Sequence, residues 1–213
     1  MDLRAIVFDL DGVIVDTESA EFDSWRRVYE HHQALLDFDA WSVCIGTQNA
    51  FDPYEHLCSQ LGRTVPREEV RAMQRALLEE ALSTLTPLPG VHALLDDAAA
   101  RGLRLGIASS STRRWVDDAL ARVRLRSRFD HLSCYGDGLS AKPAPDLYVE
   151  AVRALGVTAA TAIAIEDSPN GIAAAKAAGL FCVAVPNPMT VRLSMDEADL
   201  VLSSLTDLDL DAV

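Results

Sequence analysis

Ala5-Ile6-Val7-Phe8-Asp9-Leu10-Asp11-Gly12-Val13 is the stretch whose reading decides the fold. Its first four residues are apolar without alternation, as a strand buried on both faces requires. The next three place two carboxylates two residues apart. In extended chain, residues i and i+2 point to the same side, so Asp9 and Asp11 can face one small volume. Carboxylates that close repel unless a cation or a shared proton intervenes. A solvated turn or a calcium loop would also put acids here. The calcium spacing fails, because such a loop wants glycine at its sixth position and glutamate at its twelfth, where this chain has Ile14 and Ala20.

Outward from this stretch, four more apolar runs (103–108, 131–135, 162–165 and 182–185) alternate with helical patterns near 91–101, 112–123, 145–155 and 169–178. Strands apolar throughout and separated by helices predict a parallel sheet covered on both faces, a Rossmann-like α/β fold. Gly102, Gly156 and Gly179 stand where helix ends want a left-handed residue, and Ser168-Pro169 reads as an N-cap and first helical residue. Residues 17 to about 86 break the rhythm. They carry helical patterns at 18–32, 53–61 and 66–85 with no strand-like run between them. The expectation is a discontinuous α/β core domain of 1–15 and 88–213, interrupted by an all-helical domain of 16–87.

Composition limits the partners. The 213 residues, 49% apolar, suit one core with a smaller insertion. Acids outnumber bases 32 to 19, a net charge of −13, and a chain this acidic should repel nucleic acid and anionic membranes. No apolar run approaches the ~18 residues that span a bilayer, and the charges of 1–15 are not ordered as in a signal peptide. Four scattered cysteines without a CxxC pair read as reduced thiols. A cytoplasmic monomer acting on a small molecule is expected.

Three more polar clusters follow predicted strands, where open α/β sheets bind ligands. Ser109-Ser110-Ser111-Thr112 is read as opening a helix, either as an anion site or as an ordinary N-cap run. Lys142, in Lys142-Pro143-Ala144-Pro145, is one of two lysines beside seventeen arginines. It is either a compact point charge placed for a purpose or a surface lysine. Glu166-Asp167 offers carboxylates to a hard cation or to a helix dipole.

In this order and spacing, Asp9-Leu10-Asp11-Gly12, Ser109, Lys142 and Glu166-Asp167 resemble the four motifs of the haloacid dehalogenase-like (HAD) superfamily. The resemblance covers nearly the whole chain. The helical insertion looks like that family's cap, and the β-phosphoglucomutase-like phosphatases and mutases look nearest. The resemblance implies a nucleophile at Asp9 that forms an aspartyl-phosphate and a general acid/base at Asp11. It implies phosphate binding by Ser109, Ser110 and Lys142. It also implies Mg²⁺ held by Asp9, the Asp11 backbone carbonyl and Asp167, with Glu166 a direct or water-bridged partner.

Dehalogenases of the superfamily lack the second aspartate, and the phosphonate-cleaving members use a cap lysine. Residues 17–86 contain no lysine. Where the sugar phosphomutases carry a cap histidine, this chain has Glu21. The loop Cys44-Ile45-Gly46-Thr47-Gln48-Asn49, which faces the core in that family, bears no charge to grip a second phosphate. Glu21, Gly46, Thr47 and Gln48 are therefore candidate substrate contacts. The expectation is hydrolysis of a small sugar or polyol phosphate with a polar, uncharged leaving group. A phosphomutase is the alternative, and a non-catalytic phosphate binder a further one. Arg113 and Arg114 are placed within possible reach of the site, Trp25 is read as packing, and His31-His32 as a solvated helix end.

Overall fold

The computed structural model describes residues 2–48 and 50–213. A six-stranded parallel sheet in the order β3-β2-β1-β4-β5-β6 forms the α/β core. Its strands are β1 (Ala5–Phe8), β2 (Arg104–Thr112), β3 (His131–Tyr135), β4 (Ala162–Glu166), β5 (Phe181–Ala184) and β6 (Leu200–Val201). β1 lies between β2 and β4, and all four of its residues are buried. Ile6 and Phe8 pack on one face against α5 (Val91–Ala100) and α6 (Arg113–Arg122). Ala5 and Val7 pack on the other, against α7 (Asp146–Leu155) and α8 (Pro169–Ala177). Two covered faces explain why the strands read as continuous apolar runs.

Helix punctuation acts as the sequence predicts at α8, where the Ser168 side chain accepts from Gly171 N–H and Pro169 takes the first turn. It differs at β2. The serines 109–111 continue the strand instead of opening a helix, and Thr112 is the N-cap of α6. A Ser/Thr run looks like a cap in sequence, but here β2 keeps pairing with β3 as far as Thr112↔Tyr135, with a register shift after Ser109. β6 is too short and too exposed to show a pattern.

Between β1 and α5 lie α1 (Thr17–His31), α2 (Phe38–Ser42), α3 (Pro53–Leu61) and α4 (Arg67–Leu82), with no strand among the described residues. They bury a separate apolar cluster that includes Trp25, Tyr29, Trp41, Tyr54 and Leu57. The chain leaves and re-enters the sheet along paired segments: Val15 bridges Pro87, and Leu88 N–H donates to Ile14 C=O at 2.9 Å. All four cysteines are free. No helix among the described residues is long and apolar enough to cross a membrane.

Candidate active site

Parallel strands end together, so residues far apart in sequence meet. Asp9 follows β1, Ser109 lies near the end of β2, Lys142 sits in the loop after β3, and Glu166-Asp167 closes β4. Lys142 Nζ lies 2.7 Å from Asp9 Oδ1 and 2.6 Å from Glu166 Oε1. Lys142 is 1% exposed, so the surface-lysine alternative is excluded. Burial alone would push its ammonium towards the neutral form, but Asp9 and Glu166 outweigh that and hold it charged.

The carboxylates outnumber that one cation. Asp9, Glu166 and Asp167 can each bring an oxygen within 4.8 Å of the others, and all three are buried. Burial, reinforced by Glu166 and Asp11, lifts Asp9 to about 7 against the pull of Lys142. Asp167 is raised well above the carboxylate range by burial, then by Asp9 and Glu166. A desolvated excess of negative charge fits a hard divalent cation.

The three acids are not equivalent. Glu166 accepts from Lys142 and Tyr148 OH on one oxygen, and from Asp167 N–H, Ser168 N–H and Ser168 Oγ on the other. Both its oxygens are thus occupied by the protein. Asp167 Oδ2 has Asn187 Nδ2 at 2.7 Å, and the same amide reaches Gly12 C=O at 3.2 Å. Gly12 has φ +87, and a Cβ there would stand 2.3 Å from Asp167 Oδ2. Only glycine lets the chain turn this close to the acids.

Asp11 faces a different set of groups. Thr17 Oγ1 and Trp115 Nε1 donate to its Oδ1, the latter at 2.8 Å. Ser111 Oγ donates to Oδ2 at 2.8 Å, and Ser109 Oγ more weakly at 3.4 Å. Ser110, expected beside a phosphate, here donates to Gly46 C=O and accepts from Lys142 N–H. The serine run thus connects Asp11, the Lys142 loop and the 44–48 loop.

The helical block closes the other side. A cavity of about 150 Å³ opens between Asp9 and Asp11 on the sheet side and Glu18, Glu21, Gly46, Thr47 and Gln48 on the helical side. Gly46 (φ +74) brings its loop onto Ser168, whose Oγ would lie 2.2 Å from an added Cβ. Thr47 Oγ1 donates to Lys142 C=O, and Asn170 Nδ2 to Ile45 C=O. Asn49 lies outside the described residues. Arg113 turns away to Leu132 C=O and Asp137, and Arg114 extends into solvent at 92% side-chain exposure. Trp25 packs in the helical cluster and also lines the cavity. His31 ends α1, exposed.

The sequence profile of the family described as haloacid dehalogenase-like hydrolase matches residues 6–185. The chain belongs to this family. YhcW of Bacillus subtilis (strain 168), named for a phosphatase activity, is 37% identical over 208 residues, covering 98% of this chain and 94% of its own. Hexitol phosphatase B of Escherichia coli (strain K12) is 33% identical over 222 residues, covering 97% and 94%. The crystal structure of β-phosphoglucomutase from Clostridium difficile superposes with a TM-score of 0.75 at 25% identity, covering 99% and 95%. The chain is a phosphoric monoester hydrolase of the β-phosphoglucomutase-like branch.

Several residues of this haloacid dehalogenase-like site were missed from sequence. Asn187 follows β5, so the rule that drew attention to the other strand ends also pointed to it. Glu18 stands three residues before Glu21, hence on the same helix face. Ser111 was read only as part of the serine run, and Thr17, Tyr148 and Trp115 carried no such signal. An indole or phenol in an amphipathic helix reads as core packing until its polar atom is located.

Proposed function

We propose that this hydrolase releases phosphate from a small sugar or polyol monophosphate, with Asp9 as nucleophile and Mg²⁺ as cofactor. In this reading 1–15 and 88–213 form the catalytic core, and 16–87 form a cap that selects the leaving group. The observation that carries it is the buried Asp9–Lys142 pair, with Asp9 lining the cavity and Asp11 two residues on, held by its own donors. An Asp9 oxygen attacks phosphorus as the bond to the leaving oxygen breaks, and protonated Asp11 gives that oxygen its proton. A water oxygen then attacks phosphorus and passes a proton to Asp11. The bond to Asp9 breaks, which restores the Asp9 carboxylate and protonated Asp11 and frees phosphate.

Asp9, Asp167 and the Asp11 backbone carbonyl are the proposed metal ligands, since Glu166 has both oxygens engaged. When bound, Mg²⁺ would offset phosphate charge that otherwise repels an anionic nucleophile. Ser109 and Lys142 are the proposed phosphate contacts, with Ser110 bracing the Lys142 loop. Hydrolysis is favoured over mutase action because no lysine, arginine or histidine lines the cavity among the described residues. A bisphosphate would have no second grip there. The test measures phosphate release from an aryl phosphate with Mg²⁺ and with chelator, then from β-glucose 1-phosphate while glucose 6-phosphate is followed. Metal-dependent release is expected in both. Glucose 6-phosphate formed without comparable phosphate would establish the mutase instead.

A further inference from the structure

The helical side of the cavity is more acidic than a neutral sugar requires. Glu18 and Glu21 lie three residues apart on one face of α1, and both line the cavity. Glu18 accepts a hydrogen bond from the Gly46 backbone. The Glu21 carboxyl has no hydrogen bond or ion pair among the described residues, although nearby arginines of the same block are spent elsewhere. Arg26 pairs with Asp23 and Glu30, and Arg27 with Glu80. The two acids look across the cavity at Asp9 and Asp11, so four carboxylates surround it. Lys142, the nearby cation among the described residues, is already bound to Asp9 and Glu166.

Around the two glutamates the wall is aromatic. Trp25, Trp41 and Phe51 line the cavity, and Trp41 packs edge-on against Phe51. Aromatic faces attract cations and exclude water that would otherwise screen a carboxylate. Trp41 is 3% exposed, and its indole Nε1–H is buried without a partner in the protein. The wall therefore offers two carboxyl groups and aromatic faces, and no cation among the described residues.

We infer that the leaving group is cationic, an amine-bearing sugar or polyol whose ammonium sits between Glu18 and Glu21. This rests on the phosphatase reading and names the substrate class of the same site. It replaces the uncharged leaving group expected from sequence. Beside a neutral polyol both acids keep their protons, as buried carboxyl groups without a counter-charge do, whereas an ammonium supplies the charge that favours their ionised forms and up to three donors.

The test compares matched phosphate esters that differ only at nitrogen: glucosamine 6-phosphate against glucose 6-phosphate and N-acetylglucosamine 6-phosphate, and 2-aminoethyl phosphate against 2-hydroxyethyl phosphate. An aryl phosphate is run alongside. At neutral pH the amine member should have kcat/KM at least about tenfold above its neutral partner in one or both sets, the scale of a charge-assisted contact. In Glu21→Gln that ratio should fall towards one. Aryl phosphate hydrolysed with Mg²⁺ while neither set favours the amine would overturn this inference and leave the phosphatase reading standing. So would an amine preference that survives Glu21→Gln. No release from any ester, aryl phosphate included, would remove both.

Discussion

The two walls of the cavity treat charge in opposite ways. On the sheet side every ionised group has a partner: Lys142 bridges Asp9 and Glu166, five protein donors saturate Glu166, and Asn187 holds Asp167. On the helical side Glu21 stands without one. The sheet wall is preorganised, its geometry fixed before anything binds, as electrostatic stabilisation of a charge-transferring step demands. The helical wall is incomplete until a ligand arrives. In the proposed reading, chemistry falls to the wall whose charges are paired and selectivity to the wall where the Glu21 carboxyl is not.

The largest effect should come from breaking the sheet side at its centre. Asp9→Asn keeps the shape but loses the proposed nucleophile, and steady-state phosphate release should fall below detection. Asp11→Asn should slow turnover by about 10²–10⁴-fold, the usual contribution of a positioned acid/base. Retention of wild-type rate by Asp9→Asn would mean that another group attacks phosphorus.

Next is Lys142→Met, which strands Asp9 and Glu166 without their cation. Removing one partner of a buried pair costs about 3–5 kcal/mol, and denaturant unfolding in chelator should show a loss of that order. Saturating Mg²⁺ should recover part of it, because a ligand of the native state stabilises it. An unchanged midpoint would mean that the pair carries no structural weight.

Trp115→Phe should act less strongly. It removes one hydrogen-bond donor from Asp11 and keeps Thr17 and Ser111, so kcat should drop by about tenfold with KM little changed. A rise in KM with kcat intact would assign Trp115 to substrate contact instead.

The smallest effect is expected on the helical side. Burial, then Asp11, raises Glu21 to about 7 in the folded chain. Between the ordinary carboxylate range and 7, the unfolded chain has released this proton and the folded chain still holds it. Stability contributed by Glu21 therefore declines as pH rises through that window. Glu21→Gln should flatten this part of the stability–pH curve without the loss seen for Lys142→Met. An unchanged slope would place Glu21 in a solvated setting.

The same division governs what could be read from sequence. Asp9, Lys142 and Asp167 were legible because strand ends of a parallel sheet must converge, and apolar runs locate strand ends well. The serine run was located but assigned to a helix start, since nothing in Ser-Ser-Ser-Thr shows that β3 continues to pair with it. Glu166 was legible as an acid, but Tyr148 and the Ser168 N–H that occupy its oxygens were not. On the helical side, Glu21 emerged only through the resemblance. The unpartnered Trp41 indole and the closing of Gly46 onto Ser168 depend on tertiary packing with no sequence period.

The covalent step tests the central claim most directly. The enzyme is mixed with a phosphate ester and Mg²⁺, quenched in acid during turnover and reduced with borohydride, which converts an acyl phosphate to an alcohol. Peptide mass analysis then locates the reduced residue. The account predicts homoserine at position 9, absent when substrate or metal is omitted and absent in Asp9→Asn. Reduction at a different residue, or sustained phosphate release with Asp9 recovered unmodified at every quench time, would contradict it.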